Sequence, residues 1–453
     1  VRWYKYLIGK FTSEWGDTAF SAIVPLLLMG GILFVLIRGG VGVSTMNAGH
    51  VYFSNSTFLN HAAINPTWNF VNSCTRMSNF NQQYRFLDEP EATEIVKEMN
   101  KSDKEDKHYQ VLNTTRPNII LIVMEGIGSN VIETLGGTAD VAPNLCRYTK
   151  EGLCFTNFFA SSFRTDRGLV AILSGYPGQP TNSLMKFPNK TQNTPILSQY
   201  LKKEGYETAF YYGGDDNFTN LHSYLVTGDY EIIVNEKNFD GKDMSTKWGA
   251  YDHVLLNKVK EDLPSAKKPY FKTILTLNSH EPFDVPSHVF DDPYLNSVHY
   301  ADSCIGDFIE HFKSTDDWNN SLIVILPDHA FRYPNTMENE KPARYRIPLI
   351  WMGGAVVSSE NITKTCSQVD LAATLLHQLE LEACDFVFSK DILNTNYPEY
   401  AFYSFIDGFG LINKSDTVVY DCAAHRTLTQ GSETTLKQGM AFLQKLYDDL
   451  AKR

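Results

Sequence analysis

The sequence predicts an α/β fold, a mostly parallel sheet flanked by helices, with a transmembrane helix near its start. Three observations carry that expectation. Residues 119–124 and 322–326 are unbroken apolar runs rich in β-branched side chains, the pattern of strands buried on both faces. Helix-period segments alternate with further apolar runs, the order that builds a parallel sheet. Residues 19–37, AFSAIVPLLLMGGILFVLI, are apolar almost throughout and long enough to span a hydrocarbon core.

In chain order, the first element is that apolar run, with a membrane segment expected over 1–42. Membrane helices tolerate residues such as Pro25, Gly30 and Gly31. Trp3, Tyr4, Tyr6 and Trp15 precede it as an interfacial belt would. Arg2, Lys5 and Lys10 lie before it and Arg38 after it, so basic residues leave its orientation open. A cleavable leader fits poorly, because the run starts late and ends in Arg38-Gly39-Gly40. A buried core helix is the competing reading. The chain starts on Val1, as a fragment would.

A connector is expected over 43–115. Its 60–80 stretch is polar and aromatic, and 89–107 (EPEATEIVKEMNKSDKEDK) reads as a surface helix fraying into a solvated linker. The main domain is expected over 116–399. Residues 194–204 form an amphipathic helix pattern stopped by Gly205, and 208–212 a following strand. Residues 247–260 read as a helix, 269–277 as a strand, 299–313 as a helix and 347–352 as a strand. Residues 400–453 complete the domain with aromatic strands over 400–412 and a closing helix over 434–452.

Composition narrows the function classes. With 40 basic and 52 acidic residues the net charge is −12, which argues against nucleic-acid binding. Seven scattered cysteines show neither a disulfide framework nor a zinc knuckle, and leave room for one or two bridges.

Ligand-type side chains stand at the ends of the two buried runs. Glu125 follows the first directly, and Asp328-His329 follow the second after Pro327. The carboxyl ends of strands carry the site in open α/β sheets. Carboxylate oxygen and imidazole nitrogen suit Zn²⁺, Mn²⁺ or a similar ion. One such exit could be a strand turning polar as it leaves the core; two with ligand chemistry point to a metal. Thr165 opens the helix-period segment Leu169, Val170, Ile172, Leu173, which Gly175 ends. An N-cap threonine would be ordinary there. The same position offers free amides and the dipole to a phosphate, and a metal on its hydroxyl favours the alkoxide. Arg164 and Arg167 either neutralise the anion or are solvated. His280 follows the 269–277 strand and so reaches the same sheet edge, where it could protonate a leaving alkoxide or bind a phosphate oxygen. Asp215 and Asp216 follow Gly213-Gly214 and either line the pocket or make a turn. Arg332, three residues past His329, would clamp an anion. His222, His253, His299 and His377 read as structural.

In this order, these residues resemble the metal-and-nucleophile set of the lipoteichoic acid synthase-type branch of the alkaline phosphatase/sulfatase superfamily. The resemblance runs over about 116–391. It includes Ala142-Pro143-Asn144-Leu145, the His280 segment from Leu277 to Phe283, and Val369-Asp370-Leu371-Ala372-Ala373-Thr374-Leu375-Leu376. It implies that Glu125, Thr165, Asp328 and His329 hold one divalent ion (Mn, Mg or Zn), that Thr165 is the nucleophile and that His280 faces the substrate phosphate. It further implies a phosphoglycerol transferase at a bacterial cell membrane, its domain facing the periplasm or exterior. The donor would be a phospholipid head group and the acceptor a glycan or lipid-linked hydroxyl.

The Gram-positive polymerases of that branch carry a Trp and an Arg in the loop that grips glycerol phosphate. Here the loop reads Tyr212-Gly213-Gly214-Asp215-Asp216-Asn217-Phe218-Thr219-Asn220-Leu221, without either. It resembles variants of Bacteroidetes, so acceptor or head group is expected to differ. Phosphoethanolamine transfer, phosphodiester or sulfate-ester hydrolysis, and an inactive membrane-tethered binding domain are the alternatives. Sulfate-ester hydrolysis needs a formylglycine made within Cys-x-Pro/Ala-x-Arg. Cys422-Ala423-Ala424-His425-Arg426 fits that string but lies past Asp328-His329, and Thr165 holds the nucleophile's place.

Overall fold

The structure is a computed structural model that describes residues 3, 6, 9 and 19–453, apart from 43, 55, 76–78, 102–106 and 246. Among the described residues the main sheet has nine strands: β1 (Asn118–Met124), β2 (Leu153–Phe159), β3 (Glu207–Tyr212), β4 (Ile232–Val234), β5 (Tyr270–Leu275), β6 (Ser321–Pro327), β7 (Arg346–Met352), β8 (Asn361–Ile362) and β9 (Cys366–Ser367). Their order is 4-3-5-1-6-7-2-8, with β9 also on β2. Strands β4, β3, β5, β1 and β6 are parallel. Strand β7 runs antiparallel to both β6 and β2. The link from β6 to β7 contains no α-helix to cross the sheet face, so the chain turns back at the edge where β6 ended.

Every residue of β1 and β6 is buried. Alternate side chains serve opposite faces, as the two-residue period of a strand requires. Ile119, Leu121 and Val123 pack with Leu322, Val324 and Leu326 on one face, under the helices Thr165–Ser174, Leu197–Lys203 and Leu371–Gln378. Ile120, Ile122 and Met124 pack with Ile323 and Ile325 on the other, under Pro143–Glu151, Asp252–Asp262 and Pro293–Lys313. A second, antiparallel sheet of β10 (Tyr400–Phe405), β11 (Gly408–Asn413), β12 (Thr417–Asp421) and β13 (Arg426–Thr427) joins the first face, with the closing helix Glu433–Lys452.

Two helices differ from the sequence reading. The helix expected over 247–260 begins only at Asp252. Gly249 has φ +143°, and Ala250 N–H donates to Gly213 O at 2.9 Å, so this stretch pairs with the 213–214 loop instead of winding. The helix expected over 299–313 starts earlier, at Pro293, because Asp292 caps it: Oδ1 accepts from Tyr294 N at 2.8 Å and Leu295 N at 3.3 Å.

Ahead of the sheet, Ala19–Arg38 is a helix whose described side chains, from Ile23 on, are exposed on nearly every face; Leu27 is 70 % and Phe34 66 % exposed. That rules out the buried-core reading. No helix among the described residues is long and apolar enough to cross a membrane, and Tyr4, Trp15, Arg2, Lys5 and Lys10 lie outside the described residues. The connector folds onto the domain. Gly49 N–H donates to Asn220 Oδ1 at 2.9 Å and His222 Nε2 meets Tyr52 O at 3.1 Å. The charged helix Glu89–Met99 lies against Glu433–Lys452, tied by Arg85 to Asp448 at 2.6 Å and Lys445 to Glu89 at 2.8 Å. It is docked rather than solvated all round, while 102–106 lie outside the described residues. All seven cysteines are free, so no bridge forms.

Candidate metal centre

Strands β1 and β6 are neighbours in register, Met124 opposite Pro327, so Glu125 and Asp328 leave the same sheet edge side by side. Gly126 turns the chain there with φ +63°, which a side chain would resist, and its N–H donates to Asp328 Oδ1 at 3.0 Å. Thr276 Oγ1 accepts from Glu125 N at 3.0 Å, and Ser279 Oγ donates to Glu125 O at 2.6 Å. Gln368 Nε2 donates to both Pro327 O and Asp328 O, at 2.8 and 2.7 Å.

The helix Thr165–Ser174 comes in against this edge because residue 168 is glycine: a Cβ there would stand 2.0 Å from Asp328 O. Arg164 is the N-cap and Thr165 the first helical residue. The threonine does not cap. Its Oγ1 donates to Glu125 Oε2 at 3.1 Å. His329 Nε2 lies 3.3 Å from Glu125 Oε1 and 3.6 Å from Asp328 Oδ2. Donor atoms of Glu125, Asp328 and His329 thus all fall within 4.8 Å of one another.

The charges fit a cation. Burial works against the charge on Glu125, but the hydrogen bond and charge of His329 outweigh it and hold its carboxyl well below the usual range. Burial, then repulsion from Glu125, pushes Asp328 up. Burial also opposes charge on His329, yet Asp328 and Glu125 raise it to about 9. Two carboxylates here demand positive charge. Asp328 Oδ2 is buried with no hydrogen-bond partner, an orphaned oxygen that an ion would satisfy. Three oxygens and one imidazole nitrogen form a donor set suited to Mn²⁺, Mg²⁺ or Zn²⁺.

His280 stands on the rim. Its charge acts on Glu125, its Nδ1 meets Glu281 O at 2.9 Å, and its ring lies 4.5 Å from that of Trp248. Asp215 makes a turn, accepting from Asn217 N at 3.0 Å, while facing the same neighbourhood as Tyr212. Three arginines are not drawn into the cluster. Arg164 and Arg332 are exposed. Arg167 is buried, donates from Nε to Asn182 O at 3.2 Å, which braces the 180–182 segment, and leaves Nη1 buried without a hydrogen-bond partner. Cys422 sits in the turn between β12 and β13, away from the sheet edge that carries Glu125, and burial pushes its thiol up to about 12. A cavity of about 540 Å³ lies elsewhere, between Tyr52, His61, Phe187 and Lys190.

A family model described as Sulfatase matches residues 117–381, more than half of the chain. The chain belongs to the sulfatase family. Lipoteichoic acid synthase 2 of Bacillus subtilis is 24% identical over 363 residues, 74% of this chain and 56% of that protein. Phosphoglycerol transferase I of Xanthomonas campestris pv. campestris is 26% identical over 310 residues, 62% of this chain and 43% of that protein. The chain thus spans about half the length of the curated relatives it matches. A crystal structure of an alkaline phosphatase superfamily protein from Vibrio parahaemolyticus superposes with a TM-score of 0.71 at 23% identity, over 82% of this chain and 98% of that one. That likeness shows the fold.

Two residues escaped the sequence reading of this sulfatase-family site. Trp248 Nε1 donates to Glu281 O at 2.5 Å and its ring also meets Phe218 of the 212–221 loop. Asp252 accepts from Leu277 N at 2.7 Å and Asn278 N at 3.3 Å, holding the segment that carries His280. The aromatic gap in the 212–221 loop was the available signal for Trp248; a lone aspartate in a charged helix gave none.

Proposed function

We propose that this protein is a membrane-anchored, metal-dependent transferase that moves a phosphoglycerol head group from a phospholipid to an acceptor hydroxyl through a covalent intermediate on Thr165. The observation that carries this is the Thr165 hydroxyl bonded at 3.1 Å to Glu125 within the buried Glu125–Asp328–His329 cluster. Glu125, Thr165, Asp328 and His329 would hold one divalent ion, whose chemistry when bound is to stabilise negative charge on oxygen. Thr165 Oγ1 forms a bond to phosphorus as its proton passes to Glu125 Oε2, the acceptor it already faces. The bond from phosphorus to the diacylglycerol oxygen breaks, and His280 gives that oxygen a proton. Arg164, exposed beside Thr165, and the helix N-terminus face the phosphate charge. An acceptor hydroxyl on a glycan or lipid-linked sugar then attacks the phosphothreonine, giving its proton to His280, and the bond from phosphorus to Thr165 Oγ1 breaks as that oxygen takes back the proton held on Glu125.

The name of the Xanthomonas campestris relative, phosphoglycerol transferase I, supports phosphoglycerol as the group moved. The apolar sequence run over 19–37, whose described side chains from Ile23 on stand uncovered, is what supports a membrane anchor beside the lipid donor. The reading is tested by incubating the membrane-embedded protein with Mn²⁺ and head-group-labelled phosphatidylglycerol. Release of diacylglycerol is expected from the native chain and not from Thr165→Ala. Equal release by both proteins overturns the covalent route, and label found only as free glycerol phosphate makes water the acceptor.

A further inference from the structure

A second cluster of metal-ligand type lies apart from Glu125. His108 Nδ1 is 2.6 Å from Asp391 Oδ2, and His377 Nδ1 is 3.3 Å from the same oxygen. The two imidazole rings meet edge to face at 4.8 Å. The three side chains come from separate parts of the fold: the connector ahead of β1, the end of the helix Leu371–Gln378, and the loop after it. Their donor atoms lie within 4.8 Å of one another, as do those of the Glu125 cluster.

The backbone holds these ligands in place without help from an ion. His108 pairs with Asn394 in an antiparallel bridge, flanked by Tyr109 N to Leu393 O and Thr395 N to Lys107 O, both 2.9 Å. Gln378, one residue past His377, accepts from Val111 N at 2.8 Å and donates to Tyr109 O at 2.9 Å. Asp391 Oδ1 accepts from Leu393 N at 2.9 Å, which aims Oδ2 at the imidazoles. The Asp391 side chain is 2 % exposed, whereas His108 is 44 % and His377 32 % exposed. The carboxylate is therefore buried and fixed, and the open side is free for water to complete a shell.

We propose that His108, His377 and Asp391 form a second divalent-cation site, of zinc type, that staples the connector to the α/β domain. Two imidazole nitrogens and one carboxylate oxygen, with water in the fourth position, are the donor types of a tetrahedral Zn²⁺ site, and the 2.6 Å hydrogen bond between His108 Nδ1 and Asp391 Oδ2 would open to admit the ion. Neutral Nδ1 atoms bind the ion while each Nε2 keeps its proton. The site lies at the end of the sheet where β1 begins, away from the edge that carries Glu125. Its role is to fix the chain between the anchor and the catalytic edge, which links ion binding to folding of the connector.

The test counts ions on the whole chain. Chelator-stripped native protein, dialysed against Zn²⁺ and separately against Co²⁺, is expected to hold one ion more than His108→Gln/His377→Gln. Asp328→Asn should keep that extra ion. Zn²⁺ should raise the melting temperature of the native protein further than that of the double-histidine variant, and should still raise that of Asp328→Asn. His108→Gln alone, at a half-exposed position that folding tolerates, should weaken the extra site by more than about 100-fold, beyond the cost of losing an outer-shell partner. Equal ion counts and affinities in the native and histidine variants overturn the proposal. Loss of the Glu125 ion alone, with the histidine-dependent ion kept, leaves this proposal standing and contradicts the catalytic reading instead.

Discussion

Thr165 is a helix-start residue that does not cap its helix. Its hydroxyl bonds Glu125, so removing it leaves the helix start and its Arg164 cap unchanged. Thr165→Ala should therefore alter stability by less than about 1 kcal/mol, the scale of a lost cap. Activity should fall by roughly 10³-fold or more, as when a nucleophile is deleted, while Thr165→Ser keeps a measurable rate. A denaturant melt and a turnover assay on the same samples separate the two effects. Gly168 is the contrasting residue, because it touches no substrate. Its added Cβ would meet Asp328 O at 2.0 Å and Asp328 C at 2.7 Å. Gly168→Ala should cost about 1–3 kcal/mol by overpacking and should weaken divalent-ion binding at Glu125 and Asp328, read by calorimetric titration.

The segment that carries His280 is set by the helix behind it. Asp252 N–H donates to Asn278 Oδ1 at 2.6 Å, and the Asp252 carboxylate takes Leu277 N and Asn278 N. Burial raises this carboxyl from 3.8 to about 7. Between those values the folded state binds a proton that the unfolded state has released, so stability falls as pH rises from about 4 to about 7, by up to about 1.4 kcal/mol per unit. Asp252→Asn should remove that part of the slope, which urea melts across the range would measure against the native chain. His222 works in the opposite charge sense. Its hydrogen bond to Asp216 raises it despite burial and the nearby Lys237, and it joins Tyr52 of the connector. That latch is strongest below the ordinary histidine range and is lost as pH rises through the raised value, so amide exchange around 47–52 should quicken on the alkaline side. The elements that carry the site were legible for a plain reason. Strands β1 and β6 are buried on both faces, so they are apolar runs, and a ligand just past such a run stands out. Asp252 was not legible, because only the glycine at 249 and its pairing with 213 decide that the helix begins there. Strand β2 was missed too: Thr156 and Asn157 interrupt its apolar run at a register shift, where Asn157 Nδ2 bonds Thr365 Oγ1 at 2.7 Å.

At the scale of the whole molecule, three layers are joined by contacts distant in sequence. The connector bonds residues about 170 positions away, and Glu89–Met99 docks on the last helix of the chain. No sequence pattern announces such pairings, since they depend on which surfaces the sheet brings together. From Ile23 on, the apolar side chains of the helix Ala19–Arg38 are left uncovered by this assembly. The chain should sediment with membranes and resist alkaline extraction, whereas removal of 1–42 should release a folded domain that cleaves vesicle phosphatidylglycerol more slowly. Recovery of the intact chain in the soluble fraction would contradict the anchor. The central claim is narrower: phosphoglycerol passes through Thr165. The most direct measurement is peptide mass spectrometry of protein quenched during turnover with phosphatidylglycerol and Mn²⁺. One phosphoglycerol group on the Thr165 peptide, absent from Glu125→Gln and chased away by acceptor, is the predicted result. An enzyme that turns over phosphatidylglycerol with Thr165 unmodified at every quench time would contradict the account.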